Sequence, residues 1–184
     1  MRRLFLIAGL MLALGLAVVA ASAFAPANFA GAWSLDKAKS QGLSQGMMNA
    51  ESITWTITQD DKQISIDSKV VAGPPPAGAP AGGGAGGGMG GGRPPAGPRV
   101  FSLDGKEATA EVQGGTNTTK TSWSSDGKTL ELSSVRAGSR DGTDFKFTTT
   151  EKLSLSGDGK VLTVARHSES PRGPQDSTMV FNKQ

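Results

Sequence analysis

The 184-residue chain carries 19 basic and 16 acidic side chains, 26 glycines and 10 prolines, and has no cysteine and no tyrosine. The lack of cysteine excludes disulfides, thiolate chemistry and a lipid-modified amino-terminal cysteine, so the fold must be held by its apolar core alone. Arg2 and Arg3 fall in an amino-terminal signal, and the 17 basic residues left against 16 acidic ones give no electrostatic case for nucleic acid or anionic lipid.

That signal is read over residues 1–23. Met1-Arg2-Arg3 is a basic start, Leu4 to Ala20 is almost wholly apolar, and Ala21-Ser22-Ala23 is a small-x-small cleavage site. Cutting after Ala23 is favoured over cutting after Ala25, which would leave Pro26 beside the scissile bond. Arg2-Arg3-Leu4-Phe5-Leu6 has the core of a twin-arginine signal, but the preceding Ser/Thr is missing and Ile7 replaces a common lysine. The general secretory route fits better. Residues 24–184 are then expected as one exported domain, periplasmic or secreted, with no stable membrane anchor.

Asn28 to Asp36 is the expected first strand. Residues 37–51 show no two-residue period and read as a loop with one helical turn near Met47. Alternation then begins. Ile53, Trp55 and Ile57 alternate with Thr54, Thr56 and Thr58, the pattern of a half-buried strand. Asp60-Asp61-Lys62 turns the chain, and Ile64, Ile66, Ser68 and Val70 share a face of the second hairpin arm. Residues 73–98 interrupt the pattern with 12 glycines and 7 prolines among 26 residues, too little apolar surface to offset the entropy of ordering. A disordered loop inside one domain is expected there. No Gly-Lys-Ser/Thr and no strand–helix frame support a phosphate-binding loop.

Strand pattern resumes at Arg99-Val100-Phe101-Ser102-Leu103 and continues at 107–113, 116–124, 129–136, 144–155, 161–168 and 177–182. Asp104-Gly105-Lys106, Asp126-Gly127-Lys128 and Asp158-Gly159-Lys160 are one turn used three times, with glycine supplying the left-handed position. About ten short-linked strands curl to remove their edges. The expected fold is all-β, a single antiparallel up-and-down β-barrel of about 8–10 strands, with a two-sheet sandwich as the alternative.

Phe29-Ala30-Gly31-Ala32-Trp33-Ser34-Leu35 resembles the Phe-x-Gly-x-Trp-x-Leu start of fatty-acid-binding proteins and the Gly-x-Trp start of lipocalins. Leu35-Asp36-Lys37-Ala38-Lys39-Ser40, Trp123 to Leu130, Leu153 to Leu162 and Met179-Val180-Phe181-Asn182-Lys183 are similar to lipocalin-like domains of exported bacterial proteins without assigned function. The resemblance implies a barrel holding an apolar ligand, with Trp33 plugging its closed end. The arginine and Arg-x-Tyr clamp of fatty-acid-binding proteins does not carry over, because tyrosine is absent.

Face parity selects the candidate site. Trp55, Phe101, Trp123, Phe145 and Phe147 are cavity-lining or core candidates. Parity also turns Arg136, Glu151 and Arg166 inward, and a buried charge needs a partner. They are expected to form a polar cluster meeting a ligand's polar head, to lie at strand ends in solvent, or to be turned by a bulge in the Asp144–Leu155 strand that flips the register. His167 stands alone on an outward face and completes no metal site. Asn117-Thr118-Thr119 fits a glycosylation sequon. No catalytic constellation rises above chance, so no enzyme, cofactor or metal is expected. The expectation is a binding module for a small apolar or amphipathic ligand; the alternative is a structural or interaction barrel filled by its own side chains.

Overall fold

The computed structural model describes residues 25–74, 97–140 and 142–184; the signal and most of the Gly-Pro stretch lie outside them. Ten strands form one antiparallel sheet: β1 (Gly31–Leu35), β2 (Ala50–Gln59), β3 (Gln63–Ala72), β4 (Arg99–Ser102), β5 (Ala108–Val112), β6 (Gly115–Trp123), β7 (Thr129–Arg140), β8 (Thr143–Leu155), β9 (Val161–Ser170) and β10 (Gly173–Lys183). Their order is β4-β3-β2-β1-β10-β9-β8-β7-β6-β5. Every neighbour except the β1–β10 pair is consecutive in sequence, and that pair joins the two halves of the meander. The sheet curls into a nearly closed barrel. Across the seam the Thr121 hydroxyl donates to the Ser102 carbonyl at 2.7 Å, joining β6 to β4.

Alternating hairpins place the Asp-Gly-Lys turns at one end. Each is preceded by a serine two residues before the aspartate, and the three are built alike. Ser102, Ser124 and Ser156 hydroxyls donate to Asp104, Asp126 and Asp158 at 2.6–2.9 Å, and the amides of Lys106, Lys128 and Lys160 donate to the same carboxylates at 3.0–3.1 Å. Gly105, Gly127 and Gly159 take φ of 74°, 67° and 67°, which a β-carbon resists.

The same end is sealed by the opening stretch. Trp33 and Phe29 are fully buried, and the Trp33 indole N–H donates to the Phe29 carbonyl at 2.9 Å. Gln59 clamps the approach, accepting from Phe29 N and donating to Ala27 O, both at 3.0 Å. The Phe29 ring stacks on Trp123 at 6.0 Å, and the Lys183 ammonium lies 5.4 Å from the Trp33 ring. This is the closed end.

The opposite end carries the β1–β2 connection and the ends of β3 and β4. Beyond β1 the chain still follows β10 through a Gln41–Thr178 bridge. It then forms the short helix α1 (Gln45–Asn49), capped by Ser44, and buries Met47 against the core. Lys37 ties this turn down by donating to the carbonyls of Met48 and Ala50.

Strand bounds differ from expectation mainly at this end. β7 runs to Arg140, β9 to Ser170, and β10 begins at Gly173 rather than 177. The extra residues carry no large apolar side chain on either face, so the ladder continues where the apolar alternation has stopped. Pro174 is tolerated because at that level β10 pairs only with β9 among the described residues. β4 is short for the converse reason. Ile66 pairs with Arg99, and the next residue up the strand is Pro98, which has no N–H to give the ladder.

Candidate functional site

The ladder register lets the inner wall be followed level by level. Near the middle, Leu130, Leu153, Val164 and Met179 stand side by side, all buried. One step toward the open end the row is Leu132, Glu151, Arg166 and Ser177. The next is Ser134, Thr149, Ser168 and Gln175, and the next brings together Asn117, Arg136 and Phe147. Toward the rim the packing thins, one row lower on β10, at Ser177, than on β8, at Thr149, while on β2 Ile53 stays buried opposite Val70. On β3 the same inward face passes from buried Ile64 and Ile66 to exposed Ser68 and to Val70 at 45% exposure. On β8 it passes from buried Leu153 and Glu151 to half-buried Thr149, Phe147 and Phe145. Half the barrel is solid core, and the other half is a cup whose first wall row is hydroxyl and amide.

Glu151 closes the floor of that cup. It is 1% exposed and bound on both oxygens. Arg99 Nη1 donates to Oε2 at 2.7 Å, while Arg166 Nε and Nη2 approach Oε1 at 2.9 and 2.7 Å. Burial pushes its carboxyl pKa up, but the two guanidinium charges and their hydrogen bonds outweigh that and bring it down to about 2. The Arg99 guanidinium also sits over Trp55 at 5.4 Å and Phe101 at 5.9 Å, which fixes its plane. Arg99 and Arg166 keep 26% and 29% of their side chains exposed.

The candidates therefore divide. Trp55 and Phe101 are buried core, and Trp55 packs on Phe181 at 4.6 Å. Trp123 is half-buried beside Phe29. Glu151 and Arg166 meet as the parity argument requires, because register sets them opposite each other across β8 and β9. Arg136 does not join them. Register places it opposite Phe147, farther up the wall, where Nη2 donates to the Gln113 carbonyl at 3.1 Å. The residue missing from the expected cluster is Arg99. It lies two positions before the inward Phe101, so the same parity that selected Phe101 also selects it. No bulge interrupts the β7–β8 ladder.

Phe145 and Phe147 form a tilted pair, 5.6 Å between centroids, at the mouth. Phe147, Thr149, Ser168 and Gln175 border a hollow of about 370 Å³ there. A second, about 460 Å³, lies on the outside of β8, β9 and β10 beneath Gln41. His167 is on that outer face, 2.6 Å from Asp176, and this hydrogen bond raises its pKa above 6.5. Among the described residues, no set of three histidine or carboxylate side chains is arranged to hold a metal ion.

Fold and wall together define an antiparallel up-and-down barrel, solid at one end and cup-like at the other. No family model matches the chain, and no curated protein matches it in sequence. Among solved structures it is similar to the zebrafish ileal bile acid-binding protein complexed with cholic acid, at 12% identity and a TM-score of 0.45, over 85% of this chain and 98% of that one.

Proposed function

We propose that the protein is a non-catalytic binding barrel that takes a small apolar or amphipathic molecule into the open half, above the Glu151 floor. One observation carries the reading: toward the open rim the inward face passes from buried to half-buried or exposed side chains on β3, β8 and β10, from Ile66 to Ser68, Glu151 to Thr149 and Met179 to Ser177, while on β2 the face stays buried through Ile53. A barrel serving only as a structural spacer gains nothing by leaving its upper interior wet. The closed end is not part of the proposed site, because Trp33, Phe29, Leu162 and Phe181 are fully buried there. Ligands of this class are thus compact, without a long chain that threads to the far end.

The reading is tested by native mass spectrometry of the protein purified from its host, together with titration of the neutral fluorophore N-phenyl-1-naphthylamine. Bound small-molecule mass or saturable fluorophore binding supports it; an empty protein that binds no fluorophore overturns it in favour of a self-filled interaction barrel. Phe147→Ala should weaken fluorophore binding while costing only about 1 kcal/mol of stability, because the ring is already half in solvent. A cost of about 3–5 kcal/mol would mean that the upper half is packed.

Export is part of the proposal. The basic start, apolar run and small-x-small site of residues 1–23 support it. Amino-terminal sequencing of protein recovered from the producing cell should begin at Phe24. A chain that keeps Met1 to Ala23 overturns cleavage after Ala23 in favour of an uncleaved amino-terminal anchor and leaves the barrel unaffected.

A further inference from the structure

Arg136 is the unexplained residue of the inner wall. Glu151 neutralises one of the two arginines on the floor, and no acidic side chain among the described residues pairs with Arg136. Among the described residues its only hydrogen bond is the one to the Gln113 carbonyl. Its Nε is, among the described residues, the one buried side-chain nitrogen or oxygen with no hydrogen-bond partner. A half-buried, uncompensated guanidinium with an orphaned donor is destabilising unless something completes it.

Its neighbours define the complement. Register sets Asn117 on one side and Phe147 on the other, with Phe145 one step nearer the rim. Between Phe147 and the charged floor lies the row of Ser134, Thr149 and Ser168. The open half of the wall therefore offers a fork of donors, a flat aromatic surface and a belt of hydroxyls; among the described residues Arg99, Arg136 and Arg166 face inward against the inward carboxylate of Glu151, and Glu169 and Arg172 stand together at the rim of the hollow.

We propose that the cup takes a compact planar acid, its acidic group forked by Arg136 and its ring laid against Phe147 and Phe145. A small rotation of the guanidinium presents Nε and one Nη to two oxygens of the acid, satisfying the orphaned donor. The ring replaces water on the aromatic pair, and polar substituents meet the hydroxyl belt. This rests on the cup being a binding site, and it adds the sign of the ligand's charge, its flatness and the residue that reads it.

The test uses two fluorophores of one skeleton, 8-anilinonaphthalene-1-sulfonate and the neutral N-phenyl-1-naphthylamine, titrated into the mature protein at low salt. The wild type should bind the sulfonate about tenfold more tightly, the scale of one charge-assisted hydrogen-bonded pair. Arg136→Met should reduce that preference to about twofold or less while affinity for the neutral probe holds, and Arg136→Lys should retain part of it, lacking the fork. Equal affinities in the wild type, or a preference that survives Arg136→Met, overturns the proposal. If the Met variant does not fold, Arg136→Gln, which keeps a donor for the Gln113 carbonyl, is read the same way. Neutral-probe binding without sulfonate preference sinks the planar acid and leaves the cup reading intact; binding of neither probe sinks both.

Discussion

Glu151→Ala should lower the unfolding free energy by about 3 kcal/mol or more in urea titrations at neutral pH. The substitution leaves the Arg99 and Arg166 guanidinium groups facing each other inside the barrel with no carboxylate between them. Their residual exposure keeps the loss at the lower end of what removing one partner of a buried pair costs. For a domain with typical stability of about 5–15 kcal/mol this is a large share. Glu151→Gln, which preserves shape and some hydrogen bonding, should cost less. A loss below about 1 kcal/mol for the alanine variant would mean that the arginines turn to solvent freely and that the floor is not fixed by the ion cluster.

The same residue sets a pH dependence. The folded carboxyl has its pKa lowered from 4.5 to about 2, so folding favours its ionised form. Its stabilisation is fully present above the unfolded value near 4.5 and is lost as pH falls from there toward 2. The difference corresponds to about 3 kcal/mol. Wild type should therefore show an acid-destabilisation limb between about pH 5 and pH 2 that is reduced in Glu151→Gln, measured by urea midpoints across that range. Identical acid limbs in the two proteins would refute the assignment.

Trp33→Ala should be the most damaging single change in the closed half, at about 3–5 kcal/mol for the emptied volume. A further cost of about 1 kcal/mol follows because the buried Phe29 carbonyl loses its donor. Trp33→Phe should recover most of the volume and leave mainly the hydrogen-bond loss. The contrast with Phe147→Ala matters more than either number. Both residues are aromatic and face inward, yet one belongs to a solid plug and the other to an open wall. Equal costs for the two would remove the division of the barrel into halves.

How much of this was legible follows from what each level of structure depends on. Strand positions and faces depend on a two-residue period, and that period is local. Ile53-Trp55-Ile57, Leu130-Leu132 and Leu153-Leu155 therefore announced both their strands and their inner sides. The Asp-Gly-Lys turns depend on one left-handed glycine and one self-bonding aspartate, also local, and the structure uses all three alike. Strand ends at the open rim differ from expectation because β7, β9 and β10 carry no large apolar side chain on either face there and the period disappears.

Parity was enough to turn Glu151, Arg136 and Arg166 inward, but not to say which of them meet. That is decided by register, which sets Arg166 opposite Glu151 and Arg136 opposite Phe147. Curvature decides the rest. Arg99 is 52 residues from Glu151 and six strands away along the sheet, and the two touch only because the sheet rolls and the arginine reaches across the interior. The sequence by itself determined an all-β meander, its turns and its inner face, since each rests on contacts between near neighbours in the chain. Only the tertiary structure decided where the packed core stops, which arginines hold the floor, and that Arg136 is left with a donor to spare. Those outcomes depend on distances across a closed surface, and no local pattern encodes them.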